Sequence, residues 1–245
     1  MSLLTPVILG ILQGLTEFLP VSSSGHLVLV QNLLPGFSQP GVFFDVFLHL
    51  GTLIAVLVFF RKELFRLPLK YYLFIGVATV PAALFGFLFK TQLEALFSNI
   101  KLVGIALLIT GLINFLTDKI KKEENKLTYK NSLITGVAQA VAIIPGISRS
   151  GSTIFTAVAQ GLEKKTAAKF SFLMSIPAVL GANILEIGTL KLSGINNYPF
   201  YLIGFIFSFL FGLLAISLVY KFLLQNKFKL FAFYCLIIGS VALVI

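Results

Sequence analysis

Two short stretches hold most of the residues able to do chemistry. The first reads Gln13-Gly14-Leu15-Thr16-Glu17 and then Leu19-Pro20-Val21-Ser22-Ser23-Ser24-Gly25-His26. Gln13 and Glu17 are four apart, so on a helix they share a face. Glu17 is the only acid before Asp45. A carboxylate in an apolar helix is costly and reads first as functional; the plainer reading is a structural acid paired with Arg149. Ser22, Ser23, Ser24 and Gly25 open a new helix, whose free N–H groups point at an anion site. His26, in the first turn, is placed to donate to a bound phosphate or to attack it. Taken alone it would read as an ordinary core histidine.

The second stretch is Pro145-Gly146-Ile147-Ser148-Arg149-Ser150-Gly151-Ser152-Thr153. Arg149 is the basic residue set inside an apolar hairpin. Its planar fork suits phosphate or carboxylate, and it cannot deprotonate to escape burial. The hydroxyls of Ser148, Ser150 and Thr153 add donors and again precede a helix. Together the stretches offer a guanidinium, two helix N-termini, a carboxylate and an imidazole. That set makes an anion site able to move protons, and a phosphate or pyrophosphate group fits it best.

Hydrolysis at such a site needs a nucleophile, charge neutralisation and a proton for the leaving group. Arg149 and the helix N-termini would neutralise charge. Glu17 is the candidate general base, or the oxygen ligand of a hard divalent cation. The nucleophile is left open between Ser23, His26 and water activated by Glu17, with Ser23 and His26 together having suitable chemistry. His49, within an apolar run near Asp45, reads either as a residue that orients a loop or as a packing residue, with packing preferred. The single cysteine, Cys235, has no partner for a disulfide and no metal-site pattern.

The elements that position these groups belong to a membrane. Of 245 residues 58% are hydrophobic and 11% charged, against roughly half and a quarter in soluble domains; mean hydropathy is +0.99. That excludes a disordered chain, a disulfide-stapled module and an ordinary cytosolic enzyme. Continuous apolar runs, in place of alternation, exclude a barrel. The net charge of +10 comes from short basic clusters between apolar runs, the pattern of cytoplasmic loops, and does not indicate nucleic acid. No Lys or Arg precedes Arg61, so the apolar start lacks the basic flank of a signal peptide.

Six runs are long enough to span: 42–60, 71–89, 102–116, 170–187, 198–220 and 228–245. Two further regions, 3–34 and 132–162, are apolar pieces broken by the serine-rich turns. Irregular backbone at membrane depth survives only inside protein or along a wet cavity, so both read as re-entrant helix–loop–helix hairpins. A shift of 126 aligns Gly10 with Gly136, Gln13 with Gln139, Ser22 with Ser148, Ser24 with Ser150 and Gly25 with Gly151. The expected fold is thus all-α: two repeats, 1–117 and 132–245, joined by a cytoplasmic loop at 118–131. Placing the loop at 61–70 inside puts 15 of the 19 basic residues inside, with Lys90, Lys101 and Lys191 outside. Three spans per repeat then invert the second, bring the two turns together near the midplane and leave both termini extracytoplasmic.

The paired motifs resemble the undecaprenyl-diphosphatase family, also called the bacitracin-resistance family. The likeness rests on Gln13–Glu17, Leu19–His26 and Pro145–Thr153, and the order of spans extends it along the chain. It implies removal of the terminal phosphate of undecaprenyl diphosphate, which recycles the lipid carrier of cell-wall synthesis. It also implies a site reached from outside, a multi-pass protein of the bacterial plasma membrane, stimulation by a divalent cation (Mg or Ca) and no organic cofactor. Gln13 stands where many members have a second glutamate, which weighs against two carboxylates jointly holding a metal. The Ser-Gly-His fragment also occurs in type 2 phosphatidic acid phosphatases, but those need a later histidine, and none follows Arg149. The competing class is a transporter or flippase of a lipid phosphate or other anion, which needs the anion site but not the acid–imidazole pair. A homodimer is left open.

Overall fold

A chain that runs through apolar residues for some twenty positions must satisfy its own peptide groups, and the helix does so locally. In the computed structural model, which describes residues 3–39, 42–120, 125–189, 198–224 and 227–245, all regular structure among those residues is helical. The order is α1 (Leu4–Glu17), α2 (Ser23–Leu33), α3 (Phe43–Leu64), α4 (Leu69–Leu88), α5 (Lys90–Leu96), α6 (Ile100–Thr117), α7 (Tyr129–Val141), α8 (Arg149–Ala159), α9 (Lys164–Thr189), α10 (Tyr198–Leu224) and α11 (Phe228–Val244). Of the linker expected at 118–131, residues 121–124 lie outside the described residues, as does Lys191.

All six apolar runs are helices. Five of them, α3, α4, α6, α9 and α10, are long and apolar enough to cross a membrane. The sixth, α11, is apolar but 17 residues long, at the lower end of the roughly 17–25 that a span takes. On α10, Leu202, Ile206, Leu210, Leu214 and Leu218 are spaced by four and 41–57% exposed, while Ala215, Ile216 and Val219 are buried. Such an apolar stripe suits lipid and not water. The short α5 was not expected; Lys90 pairs there with Glu94 at 3.5 Å and with Glu186 of α9 at 2.9 Å.

The packing repeats itself. α1 lies on α10 and α7 on α4, while α6 lies on α11. A Cβ added to Gly10 would stand 2.5 Å from the Gly204 carbonyl oxygen, and one added to Gly136 would stand 2.4 Å from that of Ala78. Both members of the second pair are displaced by 126 from those of the first. Only glycine permits these approaches. Gly136→Ala is therefore expected to cost about 1–3 kcal/mol, as overpacking does, lowering the unfolding midpoint in detergent. Gly76→Ala on the same α4, where nothing lies within 4 Å, should be neutral or stabilising. Equal midpoints for the two variants would mean that the α4–α7 approach is not tight.

The two serine-rich turns meet against α6. Asn114 Nδ2 donates to the Pro20 carbonyl of the first turn. One helical turn away, Thr110 Oγ1 donates to the Gly146 carbonyl of the second at 2.8 Å and accepts from Ser148 N at 2.9 Å. Ser150 Oγ donates to the Leu19 carbonyl at 3.0 Å, tying turn to turn. A Cβ on Gly25 would lie 3.0 Å from Gly146 Cα.

Candidate active site

Glu17 ends α1, and the first turn of α2 doubles back beside it. Ser22, the N-cap of α2, has φ +68° and is the one non-glycine at positive φ among the described residues. That reversal presents Ser23, whose Oγ donates to Glu17 Oε2 at 2.6 Å. Gln13, one turn back on α1, donates its Nε2 to the same oxygen at 3.0 Å. The shared face expected of Gln13 and Glu17 is thus realised.

The second turn supplies the counter-charge. Arg149 is the first residue of α8; its Nη2 donates to Glu17 Oε1 in a short ion pair, and Nη1 donates to the Ser171 carbonyl at 3.3 Å. The plainer reading of Glu17, an acid paired with Arg149, therefore holds as geometry. It does not displace the functional reading, because both side chains line a cavity of about 570 Å³. Ser22, Ser23, Ser24 and Ser148 line it too. Its walls from α4 and α9 are largely apolar, including Ala82, Ala83, Phe87 and Ala178, while Gln139 of α7 and the Lys90, Glu94 and Glu186 group line it as well.

His49 was expected to pack, but it belongs to the site. Its Nδ1–H donates to the Asp45 carbonyl at 2.7 Å, and its Nε2 stands 3.4 Å from Glu17 Oε2. α3 carries it to the cavity wall together with Asp45. The sequence signal was a polar i, i+4 pair inside an apolar helix, too weak to fix which neighbour it faces.

His26 is not brought to Ser23. A carbonyl can only accept, so Nδ1–H donates to Ser22 O at 2.7 Å, leaving Nε2 to accept from the Tyr234 hydroxyl at 2.7 Å. The two rings are parallel, with centroids 5.4 Å apart. Ser23 has Glu17 and not His26 as its proton partner. Other expected binding groups also serve the fold. Ser22 Oγ and Ser148 Oγ accept from Gly25 N and Gly151 N as equivalent caps. Thr153 Oγ1 donates to the Arg149 carbonyl at 2.7 Å and bonds Ser171 Oγ at 2.7 Å.

The donor set does not form a cage for a metal through Glu17. Among the described residues no three His, Cys, Asp or Glu side chains gather to hold an ion. Both oxygens of Glu17 are already engaged, by Arg149 on one side and by Gln13 and Ser23 on the other.

The arrangement is a hydroxyl hydrogen-bonded to a carboxylate, which a guanidinium and an imidazole flank, on the wall of a largely apolar cavity. The chain matches the family model described as Bacitracin resistance protein BacA over residues 6–241. It is 43% identical over 256 residues to an undecaprenyl-diphosphatase of Syntrophotalea carbinolica, covering 98% of this chain and 97% of that one. It is 44% identical over 248 residues to one from Thermosipho africanus, covering 96% and 97%. For one from Methanococcus maripaludis the identity is 42% over 242 residues, covering 94% of each. With a match of this extent to the model and to such relatives, the chain belongs to the bacitracin-resistance, or undecaprenyl-diphosphatase, family.

Proposed function

We propose that this chain hydrolyses undecaprenyl diphosphate to the monophosphate and inorganic phosphate, with Ser23 as nucleophile and Glu17 as its base. The observation that carries the reading is the 2.6 Å bond from Ser23 Oγ to Glu17 Oε2 beside Arg149. A transporter has no need of a hydroxyl poised on a carboxylate. When a diphosphate enters, Arg149 turns its fork toward the terminal phosphate, where charge develops in the transition state. Ser23 Oγ bonds to the terminal phosphorus as its proton passes to Glu17. The bond from that phosphorus to the bridging oxygen breaks as Glu17 passes the proton to that oxygen, and prenyl monophosphate leaves with Glu17 again a carboxylate. Water, losing a proton to Glu17, then attacks the phosphoserine phosphorus; the Oγ–P bond breaks, the proton returns from Glu17 to Ser23 Oγ, and inorganic phosphate leaves. His49 Nε2 is within reach of the proton that Glu17 carries. With both Glu17 oxygens engaged, a divalent cation would have to be held mainly by the diphosphate itself, where it would supply charge neutralisation.

The same reading includes the membrane arrangement: six spans in two inverted repeats, two re-entrant hairpins and both termini outside the cytoplasm of a bacterial plasma membrane. The Gly10–Gly204 and Gly136–Ala78 approaches, related by one register shift, support the repeat. Cysteines placed at Leu4 and Ile245 should react with an impermeant reagent in intact cells; protection of both would sink this topology.

The functional test is phosphate release from a polyprenyl diphosphate by the purified chain in detergent, with and without chelator. Wild type should release phosphate, and Ser23→Ala should be at least about 100-fold slower, since nucleophile and base act as one unit. A Ser23→Ala variant of near-normal rate would transfer the nucleophilic role to water.

A further inference from the structure

The repeat leaves one polar side chain without the partner that its counterpart has. Gln13 donates to Glu17 one helical turn on. The same register shift puts Gln139 and Ile143 in those places, so the amide is kept and its acid is replaced by an apolar side chain. Gln139 is 2% exposed and lines the main cavity. Neither its Nε2 nor its Oε1 has a hydrogen-bond partner among the described residues, whereas Gln13 and Asn114 lack one at a single atom. A buried amide left open at both ends is costly, and a ligand with an acceptor would engage its donor end.

Its place indicates which ligand. Gln139 sits on α7 between Gly136, which touches Ala78 of α4, and Ile143, whose Cδ1 lies 3.6 Å from where a Cβ on Gly86 of α4 would be. This is the apolar flank of the cavity, the side suited to a prenyl tail. Arg149 and the serines of the α2 turn line the same cavity. We propose that Gln139 binds the lipid-linked phosphate of the substrate, its Nε2–H donating to a non-bridging oxygen while Arg149 and the two helix N-termini take the terminal phosphate. The inference rests on the hydrolytic reading above. It makes Gln139 a residue that retains the prenyl monophosphate product as well as the substrate.

The test uses the full chain carrying Ser23→Ala, so that no turnover consumes ligand, and measures binding of a radiolabelled short-chain prenyl monophosphate in detergent. Adding Gln139→Leu should weaken binding about tenfold, equivalent to about 1.4 kcal/mol. Competition by inorganic phosphate should be unchanged. Gln139→Glu should bind more weakly still, because a carboxylate then faces the phosphate. The ligand-free Gln139→Leu protein should unfold at the same temperature or higher, since an unsatisfied amide has been removed; a purely structural amide would give the reverse. An unchanged dissociation constant for the monophosphate overturns the proposal. So does a parallel loss of inorganic phosphate binding, which would move the amide to the terminal phosphate. If Gln139→Leu yields no monodisperse protein, Gln139→Glu decides by the same constant. Phosphate release by Ser23→Ala itself would defeat the nucleophile assignment and leave the Gln139 result to be read separately.

Discussion

Replacing Glu17 by Gln is expected to remove nearly all turnover, a fall of at least about 100-fold, the range typical of a lost general base. The carboxylate receives the Ser23 hydroxyl on Oε2 and the Arg149 guanidinium on Oε1. An amide cannot serve both. It places an NH₂ against one of two donors, and it cannot take the serine proton. Gln13→Ala should leave a measurable part of the rate, because Gln13 contributes one neutral donor to an oxygen that keeps Ser23. Phosphate release per monodisperse protein measures both. A Glu17→Gln variant near wild-type rate would remove the carboxylate from the proton path, and with it the reading of Ser23 as an activated nucleophile.

Arg149 is the second position where a large effect is expected, and there activity and stability separate. Arg149→Lys keeps the charge but offers a point donor in place of a fork. It should lose at least about 2 kcal/mol of transition-state stabilisation, roughly 30-fold in rate. Arg149→Ala should be slower again. It also leaves the buried Glu17 carboxylate without its guanidinium, and breaking a buried pair on one side costs about 3–5 kcal/mol. The unfolding midpoint of Arg149→Ala should therefore drop. In Glu17→Gln/Arg149→Met, which removes both charges, most of that drop should be recovered while turnover stays absent. Recovery of stability without activity would show that the pair serves the reaction and not the fold. A wild-type rate for Arg149→Lys would take the second hairpin out of the diphosphate site.

The sequence was informative where local pattern decides the outcome. Apolar runs became helices because burial in lipid leaves a single backbone solution at that length. The motif at Gln13–Glu17 was legible because a spacing of four fixes a face. The pairing of the turns was legible through the register shift that relates Ser22 to Ser148. His49 was not, because α3 is apolar on most sides, and its rotation follows from packing on α1, α9 and α10. Nor was the partner of His26, Tyr234, which lies 208 residues along the chain and has no periodic signal. Ser150 and Thr153 read as anion donors from their hydroxyls; only the arrangement of backbone carbonyls around them shows that they bind the fold.

The Glu17–Arg149 pair joins residues 132 positions apart, and that separation orders events during synthesis. Chains emerge from the ribosome N-terminus first, so α1 reaches the membrane long before α8 exists. Until then Glu17 is a carboxylate with no guanidinium, and sinking it into hydrocarbon alone is unfavourable. Asn114, which holds the Pro20 carbonyl, also arrives later. The first hairpin must therefore wait, partly hydrated, while the three apolar helices α3, α4 and α6 assemble, and it settles only when the second hairpin brings its arginine. The reaction centre thus cannot close before the second hairpin is made, and a truncated chain ending before Arg149 presents neither a competent site nor a fully seated α1.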